Sequence, residues 1–270
     1  MSHLADILEA KRVAVAALRE RPRTRATRAR AGIDVVGALR RPPGAALRLI
    51  AEVKLRSPSA GPLSRVLSPA ARAVAYAEAG ASMVSVLCDA RFFDGGWEHL
   101  EAARASLDAA GRAVPLLAKD FVVDERQIEE ARDRGADAVL LIARIVSRSR
   151  LVELADAARA AGIEPLVEVV DEAEVHAAIA ARARVIGVNA RDLDTLTMDA
   201  ARAARILAAI PRDAVAVHFS GLRSDADVAA IARERPDAAL IGEALMRQDD
   251  PRGLLAAMVQ AARGAPNFTR

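Results

Sequence analysis

The chain has 270 residues, 53% hydrophobic and 28% charged, which excludes a disordered protein and leaves one large domain or two small ones open. Its 39 basic and 36 acidic residues nearly cancel, and with only five Phe, one Tyr and one Trp there is little on which nucleic-acid bases could stack. No apolar run approaches the roughly 18 to 20 residues of a membrane span, and the single Cys88 excludes an internal disulfide framework and fits a reducing, cytoplasmic setting.

The first 45 residues stand apart. Helical spacing runs from His3 to Leu18, with Leu4, Ile7, Leu8, Val13 and Leu18 on one side. Arg19 to Arg30 then holds six arginines and one acid. A mitochondrial presequence is Arg-rich too, but Asp6, Glu9 and Glu20 speak against it. An N-terminal helical extension with a basic linker is expected over 1–45, structural or lid-forming.

From Pro42-Pro43 onward a pattern repeats. Short Val, Ile and Leu runs lie at 47–53, 83–87, 114–117, 138–145, 165–170, 185–188, 214–219 and 238–241. Helical patterns follow at about 68–79, 98–110, 124–134, 148–161, 171–182, 199–209, 224–235 and 251–263. Ser68-Pro69, Asp124, Asp171 and Ser224 are N-caps, and Gly80, Gly111, Gly135 and Gly162 close helices. Near-continuous apolar strands suit a parallel sheet covered by helices. Eight strand–helix units predict an α/β fold, a (β/α)8 TIM barrel over 46–270. A doubly wound open sheet is the rival, but no G-x-G-x-x-G follows the first strand.

Polar residues gather where the strands end: Glu52 and Lys54, Asp89, Lys119-Asp120, Glu168, Asn189-Ala190-Arg191-Asp192, His218 to Gly221, and Gly242-Glu243. In a barrel those ends share one face, and buried charges are costly unless paired, so a common cleft is the economical account. Only three of the 39 basic residues are lysines, Lys11, Lys54 and Lys119, and two of them fall at strand ends. Lysine can lose its proton when desolvated and arginine in practice cannot, so Lys54 and Lys119 are candidates for acid–base work with Glu52 and Glu168. Of the four histidines only His218 lies at a strand end, where a hydrogen-bonded structural role is the simpler reading. No His, Cys and carboxylate spacing suggests a metal. Ser220-Gly221 after the seventh strand and Gly242-Glu243 after the eighth occupy the loops that commonly hold phosphate in barrels.

Read together, the segments IAEVKLRSPSAGPL (50–63), VSVLCDARFFDGG (84–96), KDFVVDERQIEEARDRGADAVLLIA (119–143), LVEVVDEAE (166–174), IGVNARDLDTLTMD (186–199), SGLRS (220–224) and IGEALMRQDDP (241–251) resemble indole-3-glycerol phosphate synthases of tryptophan synthesis. The resemblance spans nearly the whole chain. It implies a lyase that closes the ring of 1-(2-carboxyphenylamino)-1-deoxyribulose 5-phosphate with loss of carbon dioxide and water, with no metal or organic cofactor. It implies no nucleic-acid or membrane partner, and a monomer or homodimer is expected. By motif, Lys119 would be the general acid of ring closure, Lys54 would hold the substrate carboxylate, Glu168 would assist dehydration and Glu52 would support Lys54. Asn189, Arg191, Ser220 and Phe219 would face the substrate. Ser57, Gly221 and Gly242 would hold the phosphate, with Glu243 contributing mainly backbone.

Four positions depart from the family pattern. Ala118 stands for a basic residue, Ala190 for a second asparagine, and His218 and Phe219 for the leading serine and the glutamate of a Ser-Glu-Ser-Gly run. Phe219 leaves three readings open: a tolerated change in an ordinary synthase, a paralogue acting on a modified anthranilate adduct, or a binding protein that has lost turnover. The sister barrels phosphoribosylanthranilate isomerase and the tryptophan synthase α subunit share the phosphate logic but not E-x-K-x-x-S-P-S with KDF.

Overall fold

The computed structural model describes residues 3–20, 32–57, 60–192 and 197–263. The elements, in chain order, begin with α1 (His3–Glu20) and α2 (Val35–Leu39). Strand β1 (Arg48–Val53) leads to a small antiparallel ladder of β2 (Arg56–Ser57) and β3 (Gly61–Pro62). Then follow α3 (Pro69–Glu78), β4 (Met83–Leu87), α4 (Ala90–Phe93), α5 (Trp97–Ala109), β5 (Leu116–Lys119), α6 (Glu125–Asp133), β6 (Ala138–Ile142) and α7 (Arg148–Ala160). The chain continues through β7 (Glu164–Val169), α8 (Glu172–Ala180), β8 (Val185–Asn189), α9 (Ala200–Ala209), β9 (Val215–Phe219), α10 (Asp225–Ile231), β10 (Ala238–Ile241), α11 (Glu243–Met246) and α12 (Arg252–Arg263).

Strands β1 and β4 to β10 close into one all-parallel barrel, each paired with its neighbours in the chain, and β10 returns to β1. This is the predicted (β/α)8 topology. The caps behave as read: Ser68, Asp124, Asp171 and Ser224 each accept a backbone N–H of their helix, and Asp124 with Gln127 forms a full capping box. Gly80, Gly111, Gly135 and Gly162 all take positive φ just past helix ends, the conformation for which glycine has no Cβ penalty.

Several boundaries differ from the expected ones. The third apolar run, 114–117, becomes a strand only at Leu116 and extends to Lys119. The run 138–145 is a strand to Ile142 and then a 3-10 turn over Ala143–Ile145, because a short buried strand cannot be told from a following apolar turn by composition. Helix α10 stops at Ile231 rather than 235.

Strand alternation sorts side chains into two cores. Ile50, Met83, Leu117, Leu140, Leu166, Val185, Val217 and Leu240 fill the barrel. Leu49, Ala51, Val84, Val86, Leu116, Val139, Val167 and Ile186 pack against the outer helices. The same period of two carries Glu52, Lys119, Glu168 and Asn189 onto the interior side, above the barrel filling.

Helix α1 packs on the barrel, chiefly against α6. Its buried stripe differs from the expected one: Leu4, Ile7, Val15 and Leu18 are buried, whereas Val13 is 66% exposed. The fifth member of the stripe is Lys11, 7% exposed. Arg19 pairs with Asp124, while residues 21–30 of the expected basic linker lie outside the described residues.

Candidate active site

All twelve residues singled out by sequence for catalysis, substrate or phosphate surround one cavity of about 360 Å³ at the C-terminal ends of the strands. That volume suits a small metabolite. The two lysines and two of the glutamates form two pairs. Lys54 Nζ lies 2.8 Å from Glu52 Oε1, and Lys119 Nζ lies 3.5 Å from Glu168 Oε2. Both carboxylates are almost fully buried, at 3% and 1% exposure, while the lysines reach toward the opening. Burial alone would raise the Glu52 carboxyl, but the charges of Lys54 and Lys119 outweigh it and hold the group below the usual carboxylate range. Glu52 is therefore an anion at neutral pH.

Glu168 is oriented from its other oxygen. Asn189 Nδ2 donates to Glu168 Oε1 at 2.9 Å, and Asn189 Oδ1 accepts from Ser220 Oγ at 2.8 Å and from the Arg191 N–H at 3.0 Å. This chain locks the Asn189 amide and leaves Oε2 facing Lys119. Among the described residues Glu168 Oε2 has no hydrogen-bond donor of good geometry, so it is an acceptor with capacity in hand.

Phe219 also points inward. Its ring is 2% exposed, and Lys119 Nζ stands 5.5 Å from the ring centroid, within cation–π range. Gly187, on the adjacent strand, makes room for that ring: a Cβ there would come 2.7 Å from it. Phe219 thus belongs as much to the barrel filling as to the cavity wall. His218, its neighbour, does not line the cavity; its Nε2 pairs with the Ser220 carbonyl at 2.9 Å. Burial holds its pKa below the ordinary histidine value, so it is neutral and structural, as the simpler reading had it.

The loops after β1, β9 and β10 supply the opposite rim, with Ser57, Gly221, Gly242 and Glu243. Gly242 is needed for space, since a Cβ would meet Glu52 Oε1 at 2.5 Å and Lys54 Nζ at 3.2 Å. Gly221 has φ +92°, and Ser220 before it has φ 75°. Two successive left-handed residues turn the chain sharply over the cavity. Glu243 pairs with Arg247, which lines the same rim.

Sequence reasoning missed the apolar wall. Leu4 and Ile7 of α1 reach the cavity beside Phe93, Phe121, Leu140 and Ile142. It also missed the role of Lys11, which lies between Asp89 and Asp120, at 2.9 and 2.5 Å. A signal existed: Leu4, Ile7, Lys11, Val15 and Leu18 follow the i, i+3, i+4 spacing of a buried helix face.

A closed (β/α)8 barrel with two lysine–carboxylate pairs in a cleft at the C-terminal strand ends is the architecture of a barrel enzyme. Residues 4–258 match the family described as indole-3-glycerol phosphate synthase. Indole-3-glycerol phosphate synthases of Mycobacterium ulcerans (strain Agy99) and Mycobacterium tuberculosis (strain ATCC 25618 / H37Rv) are each 44% identical over 229 residues, 85% of this chain and 81% of theirs. The chain belongs to the indole-3-glycerol phosphate synthase family. More distant solved structures share the fold alone. A thiamine phosphate pyrophosphorylase from Pyrococcus furiosus has a TM-score of 0.60 at 14% identity, covering 80% of this chain and 95% of its own. A tryptophan synthase α subunit from Legionella pneumophila str. Paris has a TM-score of 0.60 at 13% identity, covering 80% and 92%. Among the described residues no helix is long and apolar enough to cross a membrane.

Proposed function

We infer that the protein is a carboxy-lyase that converts 1-(2-carboxyphenylamino)-1-deoxyribulose 5-phosphate into indole-3-glycerol phosphate. The observation that carries this is the pair of lysines, each beside a buried carboxylate, facing one cavity within the family's frame. The substrate has an aryl ring, a carboxylate and a phosphate. The cavity offers an apolar wall from α1 and the β4 to β6 side, and a glycine-rich rim from the loops after β1, β9 and β10 on the other. Lys54, Lys119 and Arg191 match the substrate's anionic groups.

In this reading the aryl carbon that bears the carboxylate attacks the C2 carbonyl carbon. The Lys119 ammonium delivers a proton to the carbonyl oxygen, which becomes a hydroxyl. Carbon dioxide then leaves and its bonding electrons restore the aromatic ring. Finally the C2 hydroxyl takes up a proton and departs as water while C1 gives one up, giving the indole double bond. Glu168 Oε2 serves this last step as the proton acceptor, and its 3.5 Å separation from Lys119 lets the two groups exchange protons through the substrate or a water. Lys54 holds the substrate carboxylate, and Glu52 fixes Lys54 from below. Ser57, Gly221, Gly242 and the Glu243 backbone receive the phosphate, and Asn189, Arg191 and Ser220 position the ribulose chain. Both charged pairs are in place, which favours catalysis over a binding-only role.

The test is Lys119→Ala. Turnover should fall by about 100-fold or more while the folded state and substrate binding survive. A near-normal rate in steady-state kinetics would remove Lys119 from the acid role.

A further inference from the structure

We propose that Lys11 is a positioning residue that holds the aryl end of the cavity in shape. The proposal rests on the substrate reading above. Lys11 projects from the middle of the buried stripe of α1 into the space between β4 and β5, and its ammonium contacts Asp89 Oδ2 at 2.9 Å and Asp120 Oδ1 at 2.5 Å. All three residues are buried, with exposures of 7%, 2% and 2%.

Each carboxylate also secures a piece of cavity wall. Asp89 Oδ1 accepts the Phe92 N–H at 2.7 Å and its carbonyl accepts the Gly95 N–H at 2.8 Å, fixing the short helix α4 that carries Phe93. Asp120 Oδ2 accepts from Gln127 Nε2 at 3.1 Å, and the same amide donates to the Phe121 carbonyl at 3.0 Å. Phe93 and Phe121 line the cavity with ring centroids 6.1 Å apart, and Leu4 and Ile7, from the helix that bears Lys11, line it beside them. One ammonium therefore ties together the three segments that build the apolar wall. Without it two buried carboxylates would lose the cation they share, and α1 would lose its tie to the loops after β4 and β5. Asp120 also follows Lys119 directly, so the same clamp sets the end of the strand that presents the general acid.

A lysine whose role was stability alone would leave ligand recognition unchanged in the protein that remains folded. The experiment compares wild type with Lys11→Met and with Lys11→Met/Asp89→Asn, in which no repelling pair of carboxylates remains. Steady-state kinetics with 1-(2-carboxyphenylamino)-1-deoxyribulose 5-phosphate, calorimetric binding of anthranilate and inhibition by inorganic phosphate are read on each folded variant. KM and the anthranilate Kd should both rise by about tenfold or more, with phosphate inhibition within about twofold of wild type and a smaller loss in kcat. An unchanged KM and anthranilate Kd in the folded double variant would overturn the proposal. Should wild type form no product, the synthase reading falls, and the anthranilate Kd ratio still decides the role of Lys11.

Discussion

At position 219 an apolar ring sits where the resemblance leads one to expect a carboxylate, with Gly187 on one side and the Lys119 ammonium above. The ion pairs of the cavity lysines are Glu52 with Lys54 and Glu168 with Lys119. Phe219→Glu should raise kcat/KM on the unsubstituted substrate, because a second carboxylate within reach of Lys119 adds proton-transfer capacity where the family uses one. It should also lower stability by about 3 kcal/mol, since a packed ring is removed from the barrel interior. Kinetics and thermal melts on the same preparation check both. A drop in kcat/KM would mean the site has been rebuilt around the ring. Single residues were legible where chemistry made them scarce. In a chain that uses arginine almost everywhere, Lys54 and Lys119 stood out and both line the cavity. Lys11 is as rare but not legible, because Val13 competes with Val15 for the apolar stripe and a charged residue reads as solvent-facing until its partners after other strands are known.

The strands have two ends with different tasks. At the C-terminal ends the charges face the cavity. At the N-terminal ends they stitch backbone. Asp137, before β6, accepts the Leu116 N–H at 2.9 Å, the Ile33 N–H at 2.9 Å and the Arg104 guanidinium. Asp237, before β10, does the same for Arg41, Ala216 and Arg235. Removing such a group leaves buried backbone donors without their acceptor and takes a carboxylate partner from a guanidinium. Asp137→Ala should therefore cost about 3 kcal/mol or more in denaturant unfolding, with KM unchanged in the protein that remains folded. A shift in KM would mean that the two barrel ends are coupled. Strand and helix positions were legible because apolar runs, caps and closing glycines agree with one another. The short elements α2, α4 and α11 and the β2–β3 ladder were not, since four or five residues carry too little periodicity to stand out.

Closure of the barrel brings residues separated by most of the chain onto one rim. Glu52 comes from the first strand and Gly242 directly follows the last, and they come close because β1 pairs with β10. The eightfold repeat predicted that closure, so the convergence of the strand-end residues could be anticipated before any distance was known. The opposition of an apolar wall and a glycine-rich rim could not, because Leu4 and Ile7 reach the wall through the docking of α1, a contact set by Lys11 and by Arg19 with Asp124. On this reading one cavity performs ring closure, decarboxylation and dehydration on one substrate. The most direct test is to incubate purified protein with 1-(2-carboxyphenylamino)-1-deoxyribulose 5-phosphate, follow indole fluorescence and identify the product by mass. Steady formation of indole-3-glycerol phosphate with loss of one carbon dioxide per turnover is the predicted result. Thermal stabilisation by the same compound with no fluorescent product would contradict it and leave a binding site without chemistry.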